Sequence, residues 1–305
     1  MFTYLSGAIM KRQKKLRIPL YANRSVSQCV EAVFDFMRTC RSVWLRLVLL
    51  LFLPSGALLA FSVFVNADNS STDIDHMGVF SALDFLFSGD DQSSLLFLLF
   101  FYIGVWMVFV HVYSLLEAYR INEGQIDDFS LSAMKPYLID VARRSWWLPA
   151  LLMVMVFVCM LHGVLFVIGL VVLVPMALFP SVWLFERDMI VPSISKAFFL
   201  GWRAWWQLAF VIFLTTAIGL MVTTVLDVPI LLGNMFFSTL FSQESTGFMS
   251  ILLTLLLYVF NTLSYVALFI CLSMVIMGCA YEYGTVSDRI DAASVDADIA
   301  AFEDL

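Results

Sequence analysis

Charge is what this sequence has least of. Asp, Glu, Lys and Arg make up 13% of its 305 residues, about half the ~25% of an ordinary soluble domain. Hydrophobic residues make up 62%, against roughly 45–50%. That balance excludes a soluble globular enzyme, a disordered chain and a nucleic-acid-binding protein, and it leaves a chain embedded in a lipid bilayer. Catalytic signatures are missing too. There is no P-loop, GxGxxG, HExxH or GxSxG, no paired intramembrane aspartate, and no charged ring of the kind that lines an ion pore. Five cysteines (Cys29, Cys40, Cys159, Cys271, Cys279) form no CxxC and no metal-ligand spacing. They are expected to be reduced packing residues, with no metal and no cofactor. The mildly apolar start precedes Lys11, Arg12, Lys14, Lys15 and Arg17. A secretory signal has the opposite order, so no cleavage is expected.

What the sequence does have is long apolar runs. In lipid every backbone group must bond within its own segment, so such runs predict helices, each of about 20 residues. Residues 43–65, 95–116, 205–226 and 251–280 qualify. Residues 146–185 hold no charge over 40 positions. As a helix they would reach about 60 Å, twice the hydrocarbon thickness. Two spans with a tight turn near His162-Gly163 are therefore expected. The predicted fold is all-α, an integral membrane bundle of six transmembrane helices. Residues 1–42 are expected to form a basic cytoplasmic N-terminus, 43–280 the membrane domain and 281–305 an acidic cytoplasmic tail.

The few positive charges are segregated. Of 17 Lys and Arg residues, nine precede or open the first span, four lie between spans two and three, three between spans four and five, and Arg289 follows the last. With six spans all fall on one side, and the positive-inside rule puts both termini in the cytoplasm. The other side carries acids, among them Asp68, Asp73, Asp227 and Glu244. The basic N-terminus is expected to favour an anionic inner leaflet.

A segment of one kind precedes each odd-numbered span. It opens on Ser-x-Ser (Ser25, Ser130, Ser193), continues as an amphipathic stretch, and ends in arginine and tryptophan. Serine is a good N-cap, because its oxygen bonds an otherwise free helix N–H. The apolar positions are Val30, Val33, Phe34 and Met37; Met134, Leu138 and Val141; Ile194, Ala197, Phe198 and Gly201. Trp44, Trp146 and Trp205, which stand at the span entries, come 19, 16 and 12 residues after the first serine of their segments, so the helices are expected to shorten by about a turn each time. These read as amphipathic interfacial helices. Arg41, Arg143, Arg144 and Arg203 would sit at phosphate level, and Trp44, Trp146 and Trp205 in the interfacial belt. Three helix-hairpin repeats would make the six spans. Residues 79–87 and 229–241 read as short apolar segments on the opposite side.

Ionisable groups inside a membrane are the first place to look for function, and here they are scarce. His111 lies about 9 Å inside the inner end of span two and is a candidate protonation site. His162 sits where the hairpin must turn. Span six carries Thr254, Tyr258, Asn261 and Tyr265 on one helix face, and span five carries Thr215, Gly219 and Thr223 with Thr216 and Asp227 near that face. Two readings stand: polar packing between helices, or a groove for a headgroup or solute. Pro175 and Pro180 are expected to kink span four.

The stretch 186–221 has an acidic span end, a Ser-x-Ser helix with Lys196 and Ala197, Gly201-Trp202-Arg203, and then an aromatic-led span. It resembles uncharacterised bacterial six-span inner-membrane proteins and the membrane domain fused to some glycerophosphodiester phosphodiesterases. Residues 281–292, with Asp288-Arg289-Ile290-Asp291, are similar to the tail start of uncharacterised Bacteroidetes membrane proteins. The likeness covers the layout of most of the chain and residue matches only in these two stretches. It implies a bacterial inner (plasma) membrane location and a six-helix domain. No phosphodiesterase catalytic domain is present, so no activity carries over. The leading expectation is a non-enzymatic membrane scaffold or accessory subunit, packing with a second copy or a membrane partner. The alternative is a transporter or lipid-handling protein using the polar groove between spans five and six.

Overall fold

The computed structural model describes residues 18–69, 93–122, 130–160, 163–187, 189–240 and 248–291. Among them all regular structure is helical, in ten helices. In chain order these are α1 (Val26–Thr39), α2 (Arg41–Asn69), α3 (Ser93–Ile121), α4 (Leu131–Ser145), α5 (Leu148–Met160), α6 (Gly163–Met176), α7 (Phe179–Glu186), α8 (Ile190–Arg203), α9 (Trp205–Leu240) and α10 (Phe248–Asp291). His162, residues 79–87, the basic run Lys11 to Arg17, Glu244 and the chain beyond Asp291 lie outside the described residues.

Four helical stretches are long and apolar enough to cross a bilayer: Arg41–Val63, Leu95–Ile121, Trp205–Leu232 and Thr254–Ile290. Their outer faces are leucine, valine and phenylalanine, such as Leu49, Phe61, Phe213, Met221, Leu255 and Val259, all exposed. Their inner faces hold Ser55, Ser62, Ser114, Thr215, Thr223, Asn261 and Ser264, all buried. Water would favour the reverse distribution. Lipid permits this one, because polar groups must then find partners inside the bundle.

The uncharged run 146–185 forms three helices rather than two long ones. α5 has 13 residues and α6 has 14, so neither alone reaches the ~20 needed to cross. They pack against each other. The expected kink is a full break. Pro175 has no N–H, the chain turns at Ala177 and Leu178, and α7 restarts with Pro180 in its first turn, where proline's missing donor costs nothing.

The last helix is longer than the expected span. α10 runs 44 residues, about 66 Å, and packs on α9, α2, α3 and α1. The boundary expected at 280/281 falls inside it. Tyr281, Glu282, Tyr283 and Thr285 are all buried, because α1, α7 and the segment before α1 cover that end. Likewise residues 229–240 continue α9 instead of forming a separate segment.

The amphipathic helices are present with 14, 15 and 14 residues, so they do not shorten along the chain. Ser25 caps α1, its N–H donating to Gln28 Oε1 at 2.9 Å. Ser130 caps α4, accepting from Ala133 N–H at 3.3 Å. Ser193 is not a cap. α8 starts a turn earlier, with Pro192 in its first turn, and Ser193 is buried with its hydroxyl donating to Met189 O at 2.9 Å. The buried face of α1 is Cys29, Ala32, Val33 and Phe36. It is rotated from the expected one, and Phe34 is left 40% exposed.

Candidate functional site

Three places hold polar chemistry inside this bundle. The first is a collar at the end where α3, α9 and α10 meet α1, α4, α7 and α8. The segment before α1 straps across α10. Gly284 allows this, because a Cβ there would lie 2.1 Å from Leu20 O. The strap is tied by Ile18 N–H donating to Tyr119 Oη at 3.0 Å. Arg24 is buried under it, donating to Leu20 O and Pro19 O and stacking 5.2 Å from the Tyr281 ring. Gln207 joins α9 to the strap and to α10. Its Nε2 donates to Arg24 O at 3.0 Å and Glu282 Oε2 at 3.1 Å, and its Oε1 accepts from Arg289 at 2.9 Å. Cys29 Sγ donates to the same Glu282 oxygen at 3.3 Å. Burial, with the Glu282 carboxylate next in effect, pushes the Cys29 thiol up to about 12.

Two acidic side chains hold the rest of the collar. Glu186 Oε1 accepts from Tyr283 Oη at 2.5 Å and Lys196 Nζ at 2.8 Å. Glu117, buried near the end of α3, pairs with Arg187 at 2.7 Å, and Arg187 also reaches Asp140 at 3.4 Å. Sequence reasoning missed these pairs: apart from Glu186 and Lys196, ten residues apart, they join residues 47 to 97 positions apart in the chain.

The expected interfacial residues divide. Trp146 is exposed, as is Arg203, which stacks 4.4 Å over the Phe199 ring. Arg41 and Arg143 are exposed, and Arg144 is half-buried, bonded to Leu184 O and paired with Asp140. Trp205 is half-buried, its Nε1 donating to Val171 O at 3.0 Å. Trp44 is not in a belt. It is buried in the core because its ring packs edge-on to His111 at 5.8 Å.

His111 is the second place. It is fully buried between Trp44 and Phe52, whose ring lies 4.9 Å away, and neither of its ring nitrogens has a hydrogen-bond partner. Among the described residues no carboxylate is bonded to it. An aromatic box of this kind can hold a neutral imidazole and offers no route for its proton.

The third place is the seam of α9 and α10. The helices approach closely at Gly219, where a Cβ would lie 2.0 Å from Cys271 Sγ. Thr215 and Thr223 do not reach across. Their hydroxyls donate to Val211 O and Leu220 O of their own helix, at 2.7 and 2.9 Å. They are packing residues, as is half-buried Thr216. On α10, Tyr258 Oη donates to Ala57 O of α2 at 3.0 Å, and Thr254 is half-buried. Towards the end of the seam away from the collar, the Ser264 hydroxyl donates to Asp227 Oδ1. Asp227 was expected in a loop and lies inside α9. Ser264 was missed, although its place one turn after Asn261 puts it on the same side of the helix.

Comparison with family models, curated proteins and solved structures finds no match. The site must therefore be judged on its own atoms. Asp227 Oδ2, Asn261 Oδ1 and Tyr265 Oη are all buried and all lack a hydrogen-bond partner. Asn261 and Tyr265 are one turn apart on α10, on either side of Ser264, whose bond to Asp227 places both beside that carboxylate. Buried polar groups are nearly always satisfied, and each one left alone costs about 1–3 kcal/mol. Here three such oxygens flank one bond between α9 and α10. Among the described residues no group of three His, Cys, Asp or Glu is placed to hold a metal.

Proposed function

We propose that this chain is a non-enzymatic, six-span protein of a bacterial inner membrane that binds a polar ligand or lipid headgroup in the groove between α9 and α10. The observation that carries this reading is the trio of unpartnered buried oxygens on Asp227, Asn261 and Tyr265. Other hydroxyls on these two helices are paired, Tyr258 with Ala57 O of α2 and Thr223 with Leu220 O. In this reading α5, α6 and α7 add two crossings to the four long helices. Both termini lie in the cytoplasm with the collar, and α1, α4 and α8 lie along an anionic inner leaflet.

A second reading is a scaffold or accessory subunit that packs with another copy or a membrane partner. It is supported by the apolar skin around α8 and the start of α9, where Met189, Val191, Trp202 and Trp206 are all exposed, Trp206 by 72%. Native mass spectrometry of the chain released gently from its own membrane tests both. A single retained lipid or small molecule, lost in Asn261→Leu, supports the groove. A stoichiometric protein partner with no retained ligand supports the scaffold.

A further inference from the structure

We propose that Asp227 Oδ2, Asn261 Oδ1 and Tyr265 Oη form a receptor for one primary ammonium group, on the half of the α9–α10 seam away from the collar. This names the ligand chemistry of the groove and rests on the groove reading.

The number of acceptors selects the ligand. An –NH₃⁺ group carries three N–H donors and no acceptor, and three oxygens here have no donor. The set holds a single carboxylate, and among the described residues no group of three His, Cys, Asp or Glu is placed to hold a metal ion. Tyr265 suits the role, because its hydroxyl can accept one N–H while turning its own proton towards the carboxylate. Ser264 already bonds Asp227 Oδ1, which leaves Oδ2 as the open oxygen.

Charge agrees. Asp227 makes no ion pair with any described residue. Every described Lys and Arg lies in the collar helices or at the collar ends of the long helices. A buried carboxylate oxygen without a cation is costly, and a ligand of charge +1 neutralises it. An anionic ligand would add to the cost.

Position sets the source. Asp227 lies 22 residues beyond Trp205 on one helix, about 33 Å along its axis. With Trp205 near one interface, a hydrocarbon layer of about 30 Å puts Asp227 near the headgroups of the other. Asp227 is only half-buried, so the group can enter from that side. An aminophospholipid headgroup and a soluble primary amine both supply the chemistry.

The test uses the purified full chain in a mild detergent, with native mass spectrometry and thermal unfolding as readouts. The probes are phosphatidylethanolamine, phosphatidylcholine of the same acyl chains, ethanolamine hydrochloride and sodium chloride. The expected result is one phosphatidylethanolamine retained per chain, with a raised unfolding temperature. Phosphatidylcholine, whose ammonium has no N–H, should give neither. A gain with ethanolamine alone identifies a soluble amine, and a gain only with the lipid identifies the headgroup. Asn261→Leu should abolish the gain without lowering the unfolding temperature of the ligand-free chain. Tyr265→Phe, a milder change, should weaken retention about tenfold, the equivalent of ~1.4 kcal/mol.

Equal gains from the two phospholipids, or full retention in both variants, overturn the ammonium assignment. So does stabilisation by sodium without either amine. A ligand of neutral or anionic chemistry that is lost in Asn261→Leu also overturns it but leaves the groove standing. If no ligand depends on Asn261, both readings fall.

Discussion

Arg187 NH2 donates to Glu117 Oε1 at 2.7 Å, across 70 residues of sequence. Arg187 does so from a left-handed backbone, φ 60°, at the C-cap of α7. That conformation costs a non-glycine residue about 1–2 kcal/mol, so the ion pair must offset it. Arg187→Ala is expected to destabilise the protein by about 3 kcal/mol, because it leaves Glu117 buried and uncompensated. Adding Glu117→Gln should recover part of that loss. Thermal unfolding of the single and double variants checks it, and an additive pair would show that the contact contributes nothing.

At the α9–α10 seam, Gly219→Ala should destabilise by about 1–3 kcal/mol, the usual cost of overpacking. The new Cβ would overlap Cys271 Sγ. Cys271→Ala removes the obstacle and should restore most of the stability. A Gly219→Ala protein as stable as the parent would mean that the helices are not in contact there.

His111 separates two ideas about itself. His111→Phe removes two buried unpaired nitrogens and fills much the same space, so it should leave stability unchanged or raise it by about 1 kcal/mol. His111→Ala should cost about 3 kcal/mol through the cavity. A large loss in His111→Phe would instead reveal a required proton or an unseen partner.

Cys29 should resist alkylation. With its thiol pushed up to about 12, the reactive thiolate is a minute fraction at pH 8, and the sulfur is also buried. N-ethylmaleimide should leave the Cys29 peptide unmodified in the folded chain and label it readily after denaturation. The pH dependence has a fixed sign: reactivity rises as pH climbs towards 12. Rapid labelling of the native protein at pH 8 would contradict the packing of α1 on α10.

The two additional crossings have their own experiment. If α5 and α6 cross, a His162→Cys chain should react with a membrane-impermeant maleimide from the side opposite the collar. Labelling only from the collar side would mean a re-entrant hairpin and a four-span protein.

The sequence revealed what depends on local pattern. Long apolar runs found the four long helices, serine placement found two of three caps, and the absence of charge in 146–185 required an interruption near His162. It could not reveal what depends on distant partners. Trp44 read as a membrane-belt residue because tryptophan beside arginine usually is one, and only the position of α3 makes it a neighbour of His111. Glu282 read as the start of a tail, because a charge normally ends a span, and nothing local shows that Cys29 and Gln207 will cover it. In the groove, Asn261 and Tyr265 were visible by spacing. Asp227 was misplaced because Pro229, two residues on, reads as a helix end, whereas α9 continues through it.

Ser264 and Glu282 are 18 residues apart on α10, five whole turns at 3.6 residues each, so they point the same way. Each is bonded to α9, Ser264 through Asp227 and Glu282 through Gln207. The two helices are thus pinned at two levels about 27 Å apart, like rails joined by two rungs. Neither can roll about its own axis without breaking a rung, and the Gly219 contact between the rungs leaves no room to slide. A movement that keeps both rungs carries this pair as one post, with the other helices swinging against it.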